Sequence, residues 1–212
     1  GAGVGSGRGG GEQSGNRPQG GANDVGLGPA SNGVVGSPFA HDGKKLVDAA
    51  NKGDLKEVKR LLAKGVDIEH VDEDFTALKA AAMKGHAEVV KFLLGKGADV
   101  HHADSNSLTP LYLASQKGHA SVILLLLDGG ADINQANDEG ATPLAIAAQH
   151  GHSASVRLLV NRGADINHAN NKGGTPLSMA AQHGHLASVR LLVNRRADIN
   201  HANNGGTTSL YL

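Results

Sequence analysis

Apolar and polar positions fall into a short pattern that keeps returning. Leu55, Val58, Leu61 and Leu62 stand at helical spacing, and Gly65-Val66-Asp67-Ile68 breaks the run. Further along, Thr-Pro-Leu and a small Ala pair lead to Gly-His. A second apolar run with Leu-Leu follows, and Gly-Ala-Asp closes it. Each run is long enough for a short helix and carries one apolar stripe, so the chain reads as pairs of short helices rather than strands. The pattern is sharpest where Gly140-Ala141-Thr142-Pro143-Leu144 through Asn167 returns as Gly174-Thr175-Pro176-Leu177 through Asn200. Between 141–173 and 174–206 six positions differ: Ala141/Gly174, Ala145/Ser178, Ile146/Met179, Ser153/Leu186, Gly163/Arg196 and Lys172/Gly205. Thr76, Thr109, Thr142, Thr175 and Thr208 keep the same 33-residue step. A fixed period of that size means stacked supersecondary units, each burying its apolar face against its neighbours.

Every element of the unit has a physical reason. Thr before Pro starts a helix, because Thr caps free N–H groups and Pro suits the first helical position. Leu111, Leu144 and Leu177 point into the stack. The pairs Ala81-Ala82, Ala147-Ala148 and Ala180-Ala181 let neighbouring helices approach closely. Gly85, Gly118, Gly151 and Gly184 make the tight interhelix link. Gly97, Gly130 and Gly163 end the second helix in a left-handed cap. Asp99, Asp132, Asp165 and Asp198 open the following loop, whose turn Asn134, Asn167 and Asn200 are suited to hold. His86, His119, His152 and His185 are expected to hydrogen-bond at the start of each second helix. Thr76-Ala77-Leu78 lacks the Pro, a small loss. Arg196 stands where a cap Gly is expected, at a cost of roughly 1–2 kcal/mol for a bulky residue in that conformation.

Thr-Pro-Leu, Ala-Ala, Gly-His, Leu-Leu and Gly-Ala-Asp-Ile-Asn at this period resemble the ankyrin repeat over about residues 41–212. The resemblance implies an all-α solenoid of about five units, each an antiparallel helix pair with a projecting β-hairpin loop. The expected units are 41–70, 71–103, 104–136, 137–169 and 170–202, with a partial sixth at 203–212. The family's frequent His after Thr-Pro-Leu is here Lys79, Tyr112, Ala145 or Ser178. Residues 1–40 are Gly-rich with sparse apolar positions, and read as a flexible tail. The stop inside a sixth unit, with no closing unit, is expected to mean further sequence.

Composition then narrows the function. Lys plus Arg and Asp plus Glu are both 20, so the formal net charge is zero. That argues against a basic nucleic-acid binder, and the single Arg8-Gly9-Gly10 does not change this. There is no Cys, hence no disulfide framework, thiolate metal site or Cys nucleophile; a reducing, intracellular and cytoplasmic setting is expected. The apolar run Val122–Leu127 falls far short of the about 20 residues that a membrane span needs. The 12 His invite a metal site. Equivalent positions such as His150 and His183, or His70, His102, His168 and His201, should however stack about 8–10 Å apart, against a Zn–N bond of about 2.0–2.1 Å. Neither a metal nor a cofactor is expected. Ser107, Ser115 and Ser121 form no unique nucleophile–base set, so no enzyme is expected.

What remains is a surface. By resemblance, binding falls to the loop tips, the ends of the first helices and the position after Leu. The tips are Asp72, Glu73 and Phe75; Ser105, Asn106 and Leu108; Asp138, Glu139 and Ala141; Asn171, Lys172 and Gly174. The helix ends are Asn51 and Lys52; Met83 and Lys84; Gln116 and Lys117; Gln149 and His150; Gln182 and His183. The third set is Lys79, Tyr112, Ala145 and Ser178. Phe75, Met83, Leu108 and Tyr112 are the anchor-like side chains, and they place the specific part of the surface in the second and third units. The expected function is a non-catalytic scaffold or adaptor for a protein partner, without nucleic acid or membrane insertion. The alternatives are a subunit of a larger assembly or the targeting module of a longer, enzymatic protein. The resemblance also implies Asn134, Asn167 and Asn200 as sites for an asparaginyl hydroxylase.

Overall fold

The computed structural model describes residues 40–209. The expected flexible tail, but for Ala40, and residues 210–212 lie outside the described residues. Ten α-helices follow in five antiparallel pairs: α1 (Ala40–Lys52) with α2 (Leu55–Ala63), α3 (Ala77–Lys84) with α4 (Ala87–Gly95), α5 (Pro110–Lys117) with α6 (Ala120–Asp128), α7 (Pro143–Gln149) with α8 (Ser153–Asn161), and α9 (Pro176–Gln182) with α10 (Leu186–Asn194). Odd helices pack on odd and even on even, and each pair touches only its neighbours. The odd row is in closer contact than the even row, as its buried small residues Ala81, Ala114, Ala147 and Ala180 allow. Closer spacing on one row bends the stack towards it, so the odd row is the inner face.

Thr76, Thr109, Thr142 and Thr175 cap α3, α5, α7 and α9, each side chain accepting from the N–H three residues on. Thr76 does so without a following Pro. The main core is an apolar column along the stack, with Leu78, Leu111, Leu144 and Leu177 between the odd helices and Val90, Ile123 and Val156 from the even ones, all 0–2 % exposed. A buried Leu or Val contributes about 1.5–3 kcal/mol, so the array is held by many equal small gains.

The Gly-His step works differently from expectation. His86, His119, His152 and His185 make no side-chain cap on their own helices. Each Nε2–H reaches back to the preceding unit and donates to the last-turn carbonyls of Asn51, Met83, Gln116 and Gln149, at 2.9–3.1 Å. The imidazole lies over the preceding unit's linker Gly. At Gly118, φ is 77° and a Cβ would stand 2.6 Å from the His152 ring. Gly is therefore required there twice, for the turn and for the neighbour's ring.

The projecting loops carry little strand structure. Among the described residues the pairing reduces to isolated bridges, Asp72 with Phe75 and Ala202 with Thr208. Side chains hold the turns instead. Asp67, Asp99, Asp132, Asp165 and Asp198 each accept the N–H two residues on. Asn134 and Asn167, expected to hold their own turns, accept from the N–H of Asp165 and Asp198 in the next unit; the adjacent Asp already fills the turn. At the tips a hydrogen-bonded rail runs from unit to unit: Asp138 N–H to Asn106 O, Asn171 N–H to Glu139 O, and Asn204 N–H to Lys172 O, at 3.0–3.3 Å.

Candidate functional site

The inner helices and the loops that project beside them form the candidate surface. Residues at the third position after the capping Thr were expected to lie open on it. They do not: Lys79 is 0 %, Tyr112 4 %, Ala145 1 % and Ser178 7 % exposed. At Lys79 and Tyr112 the next unit's loop supplies the cover, whereas the Ser178 hydroxyl bonds back to Thr175 and the residue lines the edge of a groove. Lys79 Nζ donates to Asp104 Oδ2 and to the Asp74 carbonyl, both at 2.8 Å. The Tyr112 hydroxyl accepts from Asn137 Nδ2 at 3.3 Å. Lys79 and Tyr112 are thus joints between units and no part of an open surface.

Their partners open a series that went unread in the sequence. Asp104, Asn137, Asn170 and Asn203 stand 33 apart, and each Oδ1 accepts two backbone N–H groups of its own loop. The recurring Asp/Asn was the available signal, masked by the more varied tips two residues further on. Burial pushes the Asp104 carboxyl up, but Lys79 and the Leu108 and Asn106 N–H groups outweigh it and hold the pKa below the usual range. Burial, with a smaller contribution from the Glu139 charge, pushes the Tyr112 phenol up to about 12.

The other expected anchors are also partly withdrawn. Phe75 is half-buried, with Lys79 Nζ 5.3 Å from its ring centroid. Leu108 is half-buried against Tyr112, Ala141 and Ile146, and Met83 is half-buried. The well-exposed large apolar side chains among the described residues are Val71, Leu186, Val193 and Ile199, none of them anticipated. Asp72 pairs with Lys44 at 2.7 Å. Glu73, Asn106, Lys84 and Lys117 are exposed, and Gln116 is half-buried.

A broad groove lies elsewhere, between the loops and inner helices of the fourth and fifth units. It encloses about 640 Å³ and brings together Asp138, Glu139, Gln149, Lys172, Gln182 and His183, with Met179, Asn170 and Asn171 between them. The irregular second and third units, where the sequence had placed the specific surface, do not line it. His150 stands outside it, exposed and stacked on His152 with ring centroids 6.1 Å apart. Asp138 and Asn171 are held rigidly: Ser107 Oγ donates to Asp138 Oδ1, and Asn171 Nδ2 donates to the Asp138 carbonyl at 2.8 Å. Carboxylates, amides, an imidazole and an ammonium around one thioether suit hydrogen bonding to an irregular polar chain. No group of three or more His, Asp or Glu among the described residues is placed to hold a metal ion, and no described helix is long and apolar enough to cross a membrane.

Comparison with known proteins agrees with this architecture. The family model described as ankyrin repeats (3 copies) matches residues 46–137 and 125–203. No curated protein matches the chain. Ankyrin repeats are in general protein-interaction modules. With its helix pairs, capped Thr starts, Gly-His joints and projecting loops in phase over most of its length, the chain belongs to the ankyrin repeat family.

Proposed function

We propose that the chain is a non-catalytic scaffold or adaptor that holds a segment of a protein partner in the groove of the fourth and fifth units. The observation that carries this reading is the bonded rail of loop tips beside that groove. Fixing Asp138, Asn171 and Asn204 in advance means that little side-chain and loop entropy is lost on binding. Polar and apolar lining together suit a protein segment better than a small apolar ligand. An intracellular, cytoplasmic setting is part of the same proposal; what supports it is the cysteine-free chain, which suits a reducing compartment.

The test compares the proteins captured by the wild-type chain with those captured by a Glu139→Ala, Gln149→Ala, Gln182→Ala variant of unchanged melting temperature. Captured proteins should be lost on the variant. If all of them survive the three changes, the groove is not where the partner binds.

A further inference from the structure

The zero net charge hides a segregation. On the outer face of the first two units, α2 and α4 with their caps carry Lys56, Lys59, Arg60, Lys64, Lys91 and Lys96, all exposed, against Asp54, Glu57 and Glu88. Glu57 is taken by Arg60. Lys59, Lys91 and Lys96 form no salt bridge with a described residue. The loop side of the molecule leans to the opposite sign, with Glu73, Asp74, Asp138 and Glu139 against Lys172, and with Asp72 taken by Lys44.

Within the basic face stands one aromatic ring. Phe92 is half-buried on α4, with Lys59 Nζ at 5.3 Å and Lys96 Nζ at 5.7 Å from its centroid. The same repeat position holds Leu125, Leu158 and Leu191 in later units, so packing alone does not demand an aromatic. Two shallow hollows flank the ring and share Lys59, Phe92 and Lys96. One, of about 380 Å³, is floored by Leu62, Ala63, Val66 and Ile68. The other, of about 330 Å³, adds Leu55, Gly95, Lys91 and one carboxylate, that of Glu88.

We propose that this outer face is a second docking surface, distinct from the groove, for an acidic peptide segment with a large apolar side chain. The apolar side chain would occupy the hollow over Leu62, Val66 and Ile68 against the Phe92 edge. Carboxylates on either side would meet the ammonium groups of Lys59 and Lys96. Those ammonium groups already lie along the ring face, where the ring quadrupole attracts them, so they are held in place before a partner arrives. Charge complementarity selects the occupant. An acidic segment is drawn to this face and repelled from the acidic loop tips, and like charges brought together across an interface cost several kcal/mol. A nucleic acid would need phosphate contacts spread along a longer track. Here the unpaired lysines surround an apolar hollow, and Leu124 and Leu125 of α6 continue the face without charge.

The test is selection of a displayed random-peptide library on the full chain, with two variants for counter-selection. The first is Lys59→Gln, Phe92→Leu, Lys96→Gln; Leu at position 92 is what the three later units carry, so the fold should be kept, as circular dichroism would check. The second is the groove variant Glu139→Ala, Gln149→Ala, Gln182→Ala. Peptides combining Asp or Glu with a large apolar residue should be enriched. They should bind the first variant at least ten-fold more weakly, bind the second unchanged, and weaken as salt rises. Acid-free enriched peptides, or acidic ones indifferent to the first variant, overturn the proposal. So does tighter binding of polyuridylate or phosphatidylserine vesicles than of any enriched peptide, lost on the first variant. Peptides lost only on the groove variant overturn this proposal and leave the groove reading standing.

Discussion

Lys79 and Asp104 form an ion pair at 2.8 Å, with side chains 0 % and 6 % exposed, across the joint between the second and third units. It departs from the repeat. The equivalent pairs are Tyr112 with Asn137, Ala145 with Asn170 and Ser178 with Asn203, none of them charged. Removing one partner strands a buried charge, at about 3–5 kcal/mol. Asp104→Asn would keep the two loop N–H bonds, as Asn137 does, and still leave Lys79 unpaired. Lys79→Ala with Asp104→Asn recreates the fourth unit's pairing. Denaturant unfolding should show each single variant losing about 3 kcal/mol and the double variant losing less than either. Additive losses would remove the coupling. The pair also sets an acid limit. With its folded pKa below the ordinary value, Asp104 contributes stability above the unfolded pKa of about 4, and that contribution is lost as pH falls below it through the folded value. The double variant should lack this part of the acid limb.

Tyr112 supplies a spectroscopic check on burial. Its phenol is pushed up to about 12, so the neutral form is favoured by folding. That stability is fully present below the unfolded pKa of about 10 and is lost as pH rises towards 12. The chain has two Tyr, so a Tyr211→Phe background makes phenolate absorbance report Tyr112 alone. The midpoint should stand near 12 while circular dichroism remains native, and Glu139→Gln should lower it slightly. A native-state midpoint at the ordinary tyrosine value would contradict the buried placement.

The repeat made the helix pairs legible because the features that build them act within one unit or at one fixed spacing. Thr caps, Leu stripes and Ala pairs recur in phase, and the structure places them as read. Arg196 is likewise legible: it adopts φ 65° where Gly97, Gly130 and Gly163 adopt 87–93°. The joints were not legible in the same way. Lys79 and Tyr112 looked like surface residues because their types suit a surface, and only the loop of the following unit decides that they are covered. Phe75, Leu108 and Met83 share that fault to a lesser degree. The groove fell in the fourth and fifth units for the opposite reason: variety along a sequence marks positions that differ between units, whereas concavity depends on how identical loops stand beside one another. The charge segregation escaped notice because a total of zero sums over two faces.

Two buried hydroxyls give a last prediction. Ser155 and Ser188 are 0 % exposed, and neither Oγ has a hydrogen-bond partner. The same repeat position holds Val89 and Val122 in the second and third units, 1 % and 0 % exposed. A buried polar group without a partner costs about 1–3 kcal/mol, and β-branched Val fills this position in the second and third units. Ser155→Val and Ser188→Val should each raise stability by about 1 kcal/mol. Denaturant unfolding measures it, and an unchanged denaturant slope would show that the unfolded state is not the cause. A loss of stability at Ser155 would mean that the fourth unit packs more tightly around this position than the second and third do, and that the serine is a steric choice.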